Sequence, residues 1–110
     1  MGPSLDYSAQ PPSRAELDAL GGPLALEFGA PWCGHCRAAQ PLIAEAFAAH
    51  PQVRRLMIED GPGRRLGRSF GVKLWPTLVF LRDGREVGRL VRPDDARAIE
   101  RALAQIEGAP

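Results

Sequence analysis

The sequence predicts an α/β fold, in which a central mixed β-sheet of four to five strands is flanked by helices on both faces. Helix-like and strand-like segments alternate along the chain in the order α-β-α-β-α-β-β-α. The runs LALEF (24–28) and TLVFL (77–81) are apolar on both sides, so each face of the sheet needs a covering layer. A strand, a helix and a strand in succession imply a parallel pair, and the closely joined last two strands must be antiparallel.

The first helix and the first strand have local signals. Ser13 and Glu16 have the spacing of a capping box before a short helix, and the glycine pair 21–22 supplies its stop. LALEF is typical of a buried strand, with one charge at Glu27 inside it. We therefore expect a short helix that leads into an interior strand.

The second helix follows the cysteines. Apolar residues recur at helical spacing up to about His50, and Pro51 closes the segment. Pro41 lies inside this helix, where it removes a backbone hydrogen bond. We expect one kinked helix rather than two helices.

The second half of the chain predicts two further helices and three strands. Residues 53–59 alternate as a strand does, and a glycine-broken loop contains a short, weak helix at about 64–70. The dipeptide Asp83-Gly84 joins two apolar runs and favours a tight hairpin turn, which adds antiparallel edge strands. Residues 93–108 are typical of an amphipathic helix.

Composition limits the classes of protein that fit. A chain of 110 residues that is 45% hydrophobic predicts one domain over 1–110, with 1–12 as an irregular segment. The net charge of +1 comes from 14 basic and 13 acidic residues spread along the chain, so we expect no nucleic acid partner. The apolar runs fall far short of the roughly 20 residues that a membrane helix needs, so we expect no membrane association. We also expect no cofactor and a monomer.

The two cysteines, Cys33 and Cys36, form the tetrapeptide CGHC and allow several interpretations. A structural disulfide across so short a loop would add only about 2 kcal/mol. A zinc site needs four ligands, and beside the two cysteines only His35 and His50 remain. His35 lies between the two cysteines in the sequence, where the geometry of its ring opposes joint binding of one ion. Covalent haem attachment needs histidine where the chain has Arg37. We predict no metal site.

A redox pair is favoured by the position of Cys33, between a buried strand and the N-terminus of a helix. The helix dipole and the unpaired amides of the first turn favour a thiolate, the form that attacks disulfides. We predict that Cys33 is the nucleophile. Cys36 faces the same side one turn later, so it is the resolving thiol that attacks the mixed disulfide on Cys33.

The segments EFGAPWCGHC, WPT and RDGREVG together resemble the thioredoxin family, and APWCGHC is similar to the active site of protein disulfide isomerase domains. The resemblance extends over nearly the whole chain. Family positions include an acid six residues before the nucleophile, Trp32 directly before it, Pro41 eight residues after it and a distant X-Pro-Thr. The resemblance implies a thioredoxin fold with a cis peptide bond before Pro76.

The resemblance implies roles for further residues. The family places an acid beneath the resolving cysteine, so Glu27 is predicted to accept the proton of Cys36; the alternative is a side chain that reaches the sheet edge and has no role. Arg55 stands near the family's lysine partner of that acid, and an arginine can contribute only its field.

Four residues are predicted to contact substrate: Trp32, Gly34, Trp75 and Pro76. Proline has no N–H, so Pro76 would leave the neighbouring Trp75 backbone free to pair with an extended substrate segment. The alternative is an ordinary trans proline that enters a strand.

Three residues concern the direction and the substrate choice of the reaction. His35 is predicted to donate a hydrogen bond or positive charge to the Cys33 thiolate, which makes the disulfide a stronger oxidant; the alternative is an exposed helix cap. Gly29 stands where many thioredoxins have a second tryptophan, and Arg92 where they have a glycine. We therefore expect a different substrate choice.

These observations predict a thiol-disulfide oxidoreductase with protein disulfide or dithiol substrates and a reductase or other redox partner. A cytoplasmic, thioredoxin-like reductant is favoured, since MGPSLDYSAQPPS has no visible export signal. One alternative is a periplasmic or secreted disulfide oxidase or isomerase whose signal peptide has been removed. The other is a binding module that uses the fold without turnover.

Overall fold

The computed structural model describes residues 7–108. Its elements in chain order are α1 (Arg14–Ala19), β1 (Pro23–Gly29), α2 (Gly34–Ala48), β2 (Arg54–Glu59), α3 (Arg65–Ser69), β3 (Thr77–Arg82), β4 (Arg85–Val91) and α4 (Ala96–Glu107). The predicted order of helices and strands is confirmed. The segment 1–12, predicted to be irregular, lies partly outside the described residues.

The four strands form one mixed sheet in the order β2-β1-β3-β4. β1 pairs with β2 in parallel and with β3 antiparallel, and β3 and β4 form the antiparallel hairpin. The sequence predicts both hairpin strands at the edge, but β3 is interior, because residues 77–81 are buried and need cover on both faces. In place of a fifth strand, an isolated parallel bridge joins Ser8 to Ile58.

Apolar side chains cover both faces of the sheet, as predicted. Because side chains alternate along a strand, each interior strand contributes to two cores. One core lies between the sheet and the helices α2 and α4, and includes Ala25, Ile43, Leu78, Phe80, Ile99 and Leu103. The other contains residues of α1 and α3, and includes Leu17, Leu24, Leu26, Phe28, Leu66, Phe70, Val79 and Leu81.

The helix ends follow the sequence signals. The capping box of α1 is present, with the Ser13 side chain accepting from the backbone of Glu16 and the Glu16 side chain accepting from the backbone of Ser13. α2 is one continuous helix across Pro41, as predicted, and the kink at Pro41 stays a prediction. Among the described residues, no helix is long and apolar enough to cross a membrane.

The turn between β3 and β4 depends on Gly84. Asp83 and Gly84 both have positive φ, 52° and 80°, as a tight hairpin turn of this kind requires. The turn also lies against α1, since a β-carbon on Gly84 would overlap the backbone carbonyl of Asp18. Gly84 is therefore constrained by its backbone conformation and by close packing together.

We predict that Gly84→Ala destabilises the protein more than Gly63→Ala does. Both glycines have a φ of 80°, but a β-carbon on Gly63 would meet no atom within 4 Å. Gly63→Ala should therefore lower the free energy of unfolding only by the left-handed backbone cost of about 1–2 kcal/mol. Gly84→Ala adds the overlap with Asp18 and should lose clearly more. Urea denaturation of the two reduced variants measures the difference, and equal losses would contradict the close packing.

Candidate active site

Cys33 lies at the N-terminus of α2, where the sequence places it. It is the N-cap residue of the helix, and its Sγ accepts a hydrogen bond from the Cys36 amide at 3.1 Å. Its side chain is partly exposed, whereas Cys36 is completely buried, and both are free thiols. A negative charge on the Cys33 sulfur would be stabilised by this amide and by the helix dipole.

Cys36 is buried in a way that keeps it neutral. Burial, and after it the hydrogen bond with Cys33, raise the pKa of the Cys36 thiol to about 11. The backbone of Ala30 and the hydroxyl of Tyr7 oppose this shift. At neutral pH Cys36 therefore keeps its proton, and it needs a proton acceptor before it can attack a disulfide.

Glu27 lies inside β1 with a carboxylate that is only 1% exposed. Arg55 of β2 donates to its Oε1 from Nε at 3.0 Å and from Nη2 at 2.6 Å. Its Oε2 accepts from the Tyr7 hydroxyl at 2.7 Å and from Gln40 Nε2 at 2.8 Å. Its burial excludes a side chain that reaches the sheet edge, and Glu27 pairs with Arg55 as the sequence indicates.

The resolving thiol and the buried acid are not directly hydrogen-bonded. Among the described residues, no hydrogen bond joins Cys36 Sγ to the Glu27 carboxylate. Gln40 bridges the two residues differently, since its Nε2 donates both to Glu27 and to the Cys36 carbonyl at 3.1 Å. Glu27 as the proton acceptor of Cys36 stays a prediction.

The sequence analysis missed two residues of this network, Tyr7 and Gln40. Gln40 had a signal, because it lies four residues after Cys36 and so shares its helix face. Tyr7 had none, because it comes from the segment predicted to be irregular. It is nonetheless 7% exposed, and its ring occupies the space beside Gly29. A larger residue at Gly29, such as the tryptophan of many thioredoxins, would have no room there.

The peptide bond between Trp75 and Pro76 is cis, as the resemblance implies. The Trp75 carbonyl accepts a hydrogen bond from Arg92 Nε at 2.8 Å, and pairing of the Trp75 backbone with substrate stays a prediction. In the described part of the chain, nothing accepts from the Trp75 amide. The indole is fixed by Asp60, whose buried carboxylate accepts from Nε1 at 2.9 Å, a contact that the sequence did not reveal.

His35, Pro76, Arg92 and Asp94 line one cleft of about 240 Å³ beside α2. His35 is exposed, and within residues 7–108 it makes no hydrogen bond to Cys33. Its predicted effect on the thiolate would therefore act through charge or through a different ring position. Arg92 has a φ of 49°, a conformation that suits the glycine which the family has at this position.

Trp32 and Gly34 adjoin Cys33 on either side. Trp32 is 64% exposed, and Gly34 is exposed with no atom close to where its β-carbon would stand. Both are accessible to a substrate segment, and their contact with substrate stays a prediction. Within residues 7–108, no three His, Cys, Asp or Glu side chains are grouped so that they could hold a metal ion.

The chain is similar in sequence and in structure to known proteins. The family model described as Thioredoxin matches residues 14–105. The structure of thioredoxin 2 from Pseudomonas aeruginosa PAO1 in its reduced form is 61% identical, covers 97% of both chains and superposes with a TM-score of 0.83. Thioredoxin H-type from Picea mariana is 31% identical over 78% of this chain and 68% of its own.

A second group of relatives is longer. Human protein disulfide-isomerase A2 is 41% identical over 91 residues, which is 77% of this chain. The chain spans 17% of the length of that protein. The similarity to the disulfide isomerase thus concerns one part of a much larger protein.

We predict that Cys36 titrates near pH 11 in the reduced protein, far above an ordinary thiol, because burial and the hydrogen bond with Cys33 both favour the neutral form. The ¹³Cβ chemical shift of labelled Cys36 measures its ionisation directly. Cys33→Ala should lower the midpoint, because it removes the second cause. A midpoint at or below 9 would contradict the burial of this thiol.

Proposed function

The chain belongs to the thioredoxin family, and on that premise we propose that it is a thiol-disulfide oxidoreductase that acts on protein substrates through Cys33 and Cys36. The observation that carries this proposal is the unequal placement of the two thiols. Cys33 is accessible at a helix N-terminus that stabilises an anion, and Cys36 is buried and protonated three residues later. This is the arrangement that a nucleophile and a resolving thiol need.

The proposed reaction has two exchange steps. The Cys33 thiolate attacks one sulfur of a substrate disulfide, so a bond to Cys33 forms, the substrate S–S bond breaks and the other substrate sulfur leaves as a thiolate. Cys36 then loses its proton and attacks Cys33 Sγ, which forms the Cys33–Cys36 disulfide and releases the second substrate sulfur. Two electrons pass to the substrate, and a reductase or other dithiol partner must return them.

The surface next to Cys33 supports binding of an extended polypeptide. Large apolar side chains are exposed beside the cysteines and beside Pro76: Trp32, Leu74 and Val91 are 64%, 48% and 48% exposed. The Trp75 amide has no partner in the described chain and can donate to a substrate carbonyl. We propose that substrate pairs with this amide, while Arg92 keeps the neighbouring carbonyl occupied.

We propose that the protein passes electrons to substrate disulfides and so acts as a reductant. We also propose that it works as a monomer in the cytoplasm, where thiols are kept reduced. In support, thioredoxin 2 from Pseudomonas aeruginosa matches this chain over nearly its whole length, whereas the disulfide isomerase matches over a small part of its own. The second candidate is a disulfide oxidase or isomerase. The observation in its favour is His35, which replaces the proline usual in thioredoxins.

We predict that the reduced protein reduces the disulfides of insulin and that Cys33→Ser abolishes this activity, because it removes the attacking sulfur. Cys36→Ser should form mixed disulfides that persist, because no thiol resolves them. Insulin turbidity measures the activity, and non-reducing gels with mass spectrometry detect the trapped species. Wild-type activity in Cys33→Ser would refute the proposal, and so would a Cys36→Ser variant that traps nothing.

We predict that His35→Pro makes the reduction potential of the Cys33–Cys36 pair more negative by some tens of millivolts, because a charge that favours the Cys33 thiolate is lost. Proline is tolerated in the first turn of a helix, so the fold should persist. Reductase activity should remain, and oxidation of reduced substrates should fall. Equilibration in glutathione buffers followed by thiol trapping gives the midpoint. An unchanged midpoint would mean that His35 is only an exposed residue of the helix end.

A further inference from the structure

Tyr7 is a buried polar residue that takes no part in the two exchange steps proposed above. Its hydroxyl donates to Glu27 Oε2 at 2.7 Å. A phenol has a single proton, so this bond uses it and leaves the oxygen lone pairs as acceptors. Burial and the nearby Glu27 carboxylate raise the pKa of Tyr7, so the phenol keeps a proton at all physiological pH values.

The same hydroxyl lies against the resolving thiol. A β-carbon built on Gly29 would lie 2.7 Å from Tyr7 Oη and 2.6 Å from Cys36 Sγ, so the two atoms crowd one point beside β1. The Tyr7 hydroxyl also lowers the pKa of Cys36, against the burial that raises it. Gly29 thus leaves open the space in which the phenol oxygen and the sulfur lie side by side.

The other partners of Glu27 do not reach that sulfur. Arg55 donates to Oε1, on the far side of the carboxylate, and Gln40 contacts the carbonyl of Cys36 rather than its thiol. Among residues 7–108, Tyr7 is therefore the side chain that donates a hydrogen bond to Glu27 and also lies beside the Cys36 sulfur. It lies between two groups that are not bonded to each other.

We propose that the Tyr7 hydroxyl relays the proton of Cys36 to Glu27 during the resolving step. The Cys36 S–H bond breaks as Tyr7 Oη gains that proton, and the original Tyr7 O–H bond breaks as Glu27 Oε2 gains the other. The Cys36 thiolate then attacks Cys33 Sγ, and the proton on Glu27 later returns to solvent. This relay rests on the proposed function and names a proton path for its second step.

The charged and titratable groups around this path are few. Cys33 is on the same helix as Cys36, Glu27 belongs to β1 and Arg55 to β2. Asp60, which follows β2, directs its carboxylate to the Trp75 indole instead. Arg55 donates both of its hydrogen bonds to Glu27 Oε1, so Oε2 is the carboxylate oxygen that faces Tyr7.

The test uses Tyr7→Phe, which keeps the ring beside Gly29 and removes only the hydroxyl. The aromatic disulfide DTNB separates the two steps, because attack by Cys33 releases one thionitrobenzoate and resolution by Cys36 releases a second. Stopped-flow absorbance should show an unchanged first release and a second release slowed about ten- to a hundredfold in Tyr7→Phe. The pH at which the second release reaches half its maximal rate should rise, since Cys36 must then lose its proton without the relay while burial still raises its pKa.

Ser8→Ala is the matched control, because it removes a hydroxyl from the same segment without touching Glu27 or Cys36. It should match the wild type in both releases. A second variant, Glu27→Gln, removes the end of the relay, and adding Tyr7→Phe to it should cause no further slowing. Urea denaturation of each variant separates a loss of rate from a loss of stability.

The outcomes are distinguishable. A second release in Tyr7→Phe with the rate and pH profile of the wild type overturns the relay, and so does equal slowing of both releases, which would indicate a structural role alone. Independent, multiplicative slowing in the double variant also overturns it. A wild-type protein that gives no first release removes the proposed function, and with it the relay.

Discussion

The buried carboxylate of Glu27 is the constraint on which the rest of the site depends. Removing an ionised group from water costs several kcal/mol, and the structure offsets this with hydrogen bonds from three different parts of the chain. Arg55 comes from β2, Gln40 from α2 and Tyr7 from the segment before α1. Because each bond has a preferred length and direction, one charge fixes the positions of all three elements relative to β1. The value of this network lies in geometry more than in stability.

The two cysteine side chains are chemically identical, but their positions on α2 give them different properties. Cys33 and Cys36 are three residues apart, yet one lies at the open end of the helix and the other faces the sheet. The free amides at the helix end stabilise the thiolate of Cys33, whereas burial away from water disfavours the thiolate of Cys36. A difference in chemistry between the two thiols thus follows from one turn of helix.

The proposed substrate surface around Trp75 and Pro76 is held by contacts of a different kind. The Trp75 indole is fixed by Asp60 and its carbonyl by Arg92, so the peptide before Pro76 is held at two points. Both contacts use side chains to satisfy polar groups near the cysteines. The apolar side chains in this region remain exposed, which leaves them available for a protein partner.

Local signals in the sequence determined the order of helices and strands, the hairpin turn, the helix caps and the positions of the two cysteines, because these features depend on residues close together in the chain. A single acid in an apolar strand also identified Glu27. The partners of these groups were decided by the tertiary structure. Tyr7 reaches Glu27, and Arg92 reaches Trp75, only because the strand order and the helix packing bring distant segments together. Local composition contains no record of which distant side chain fills a given space, so the sequence determined the chemical groups and the fold decided which of them touch.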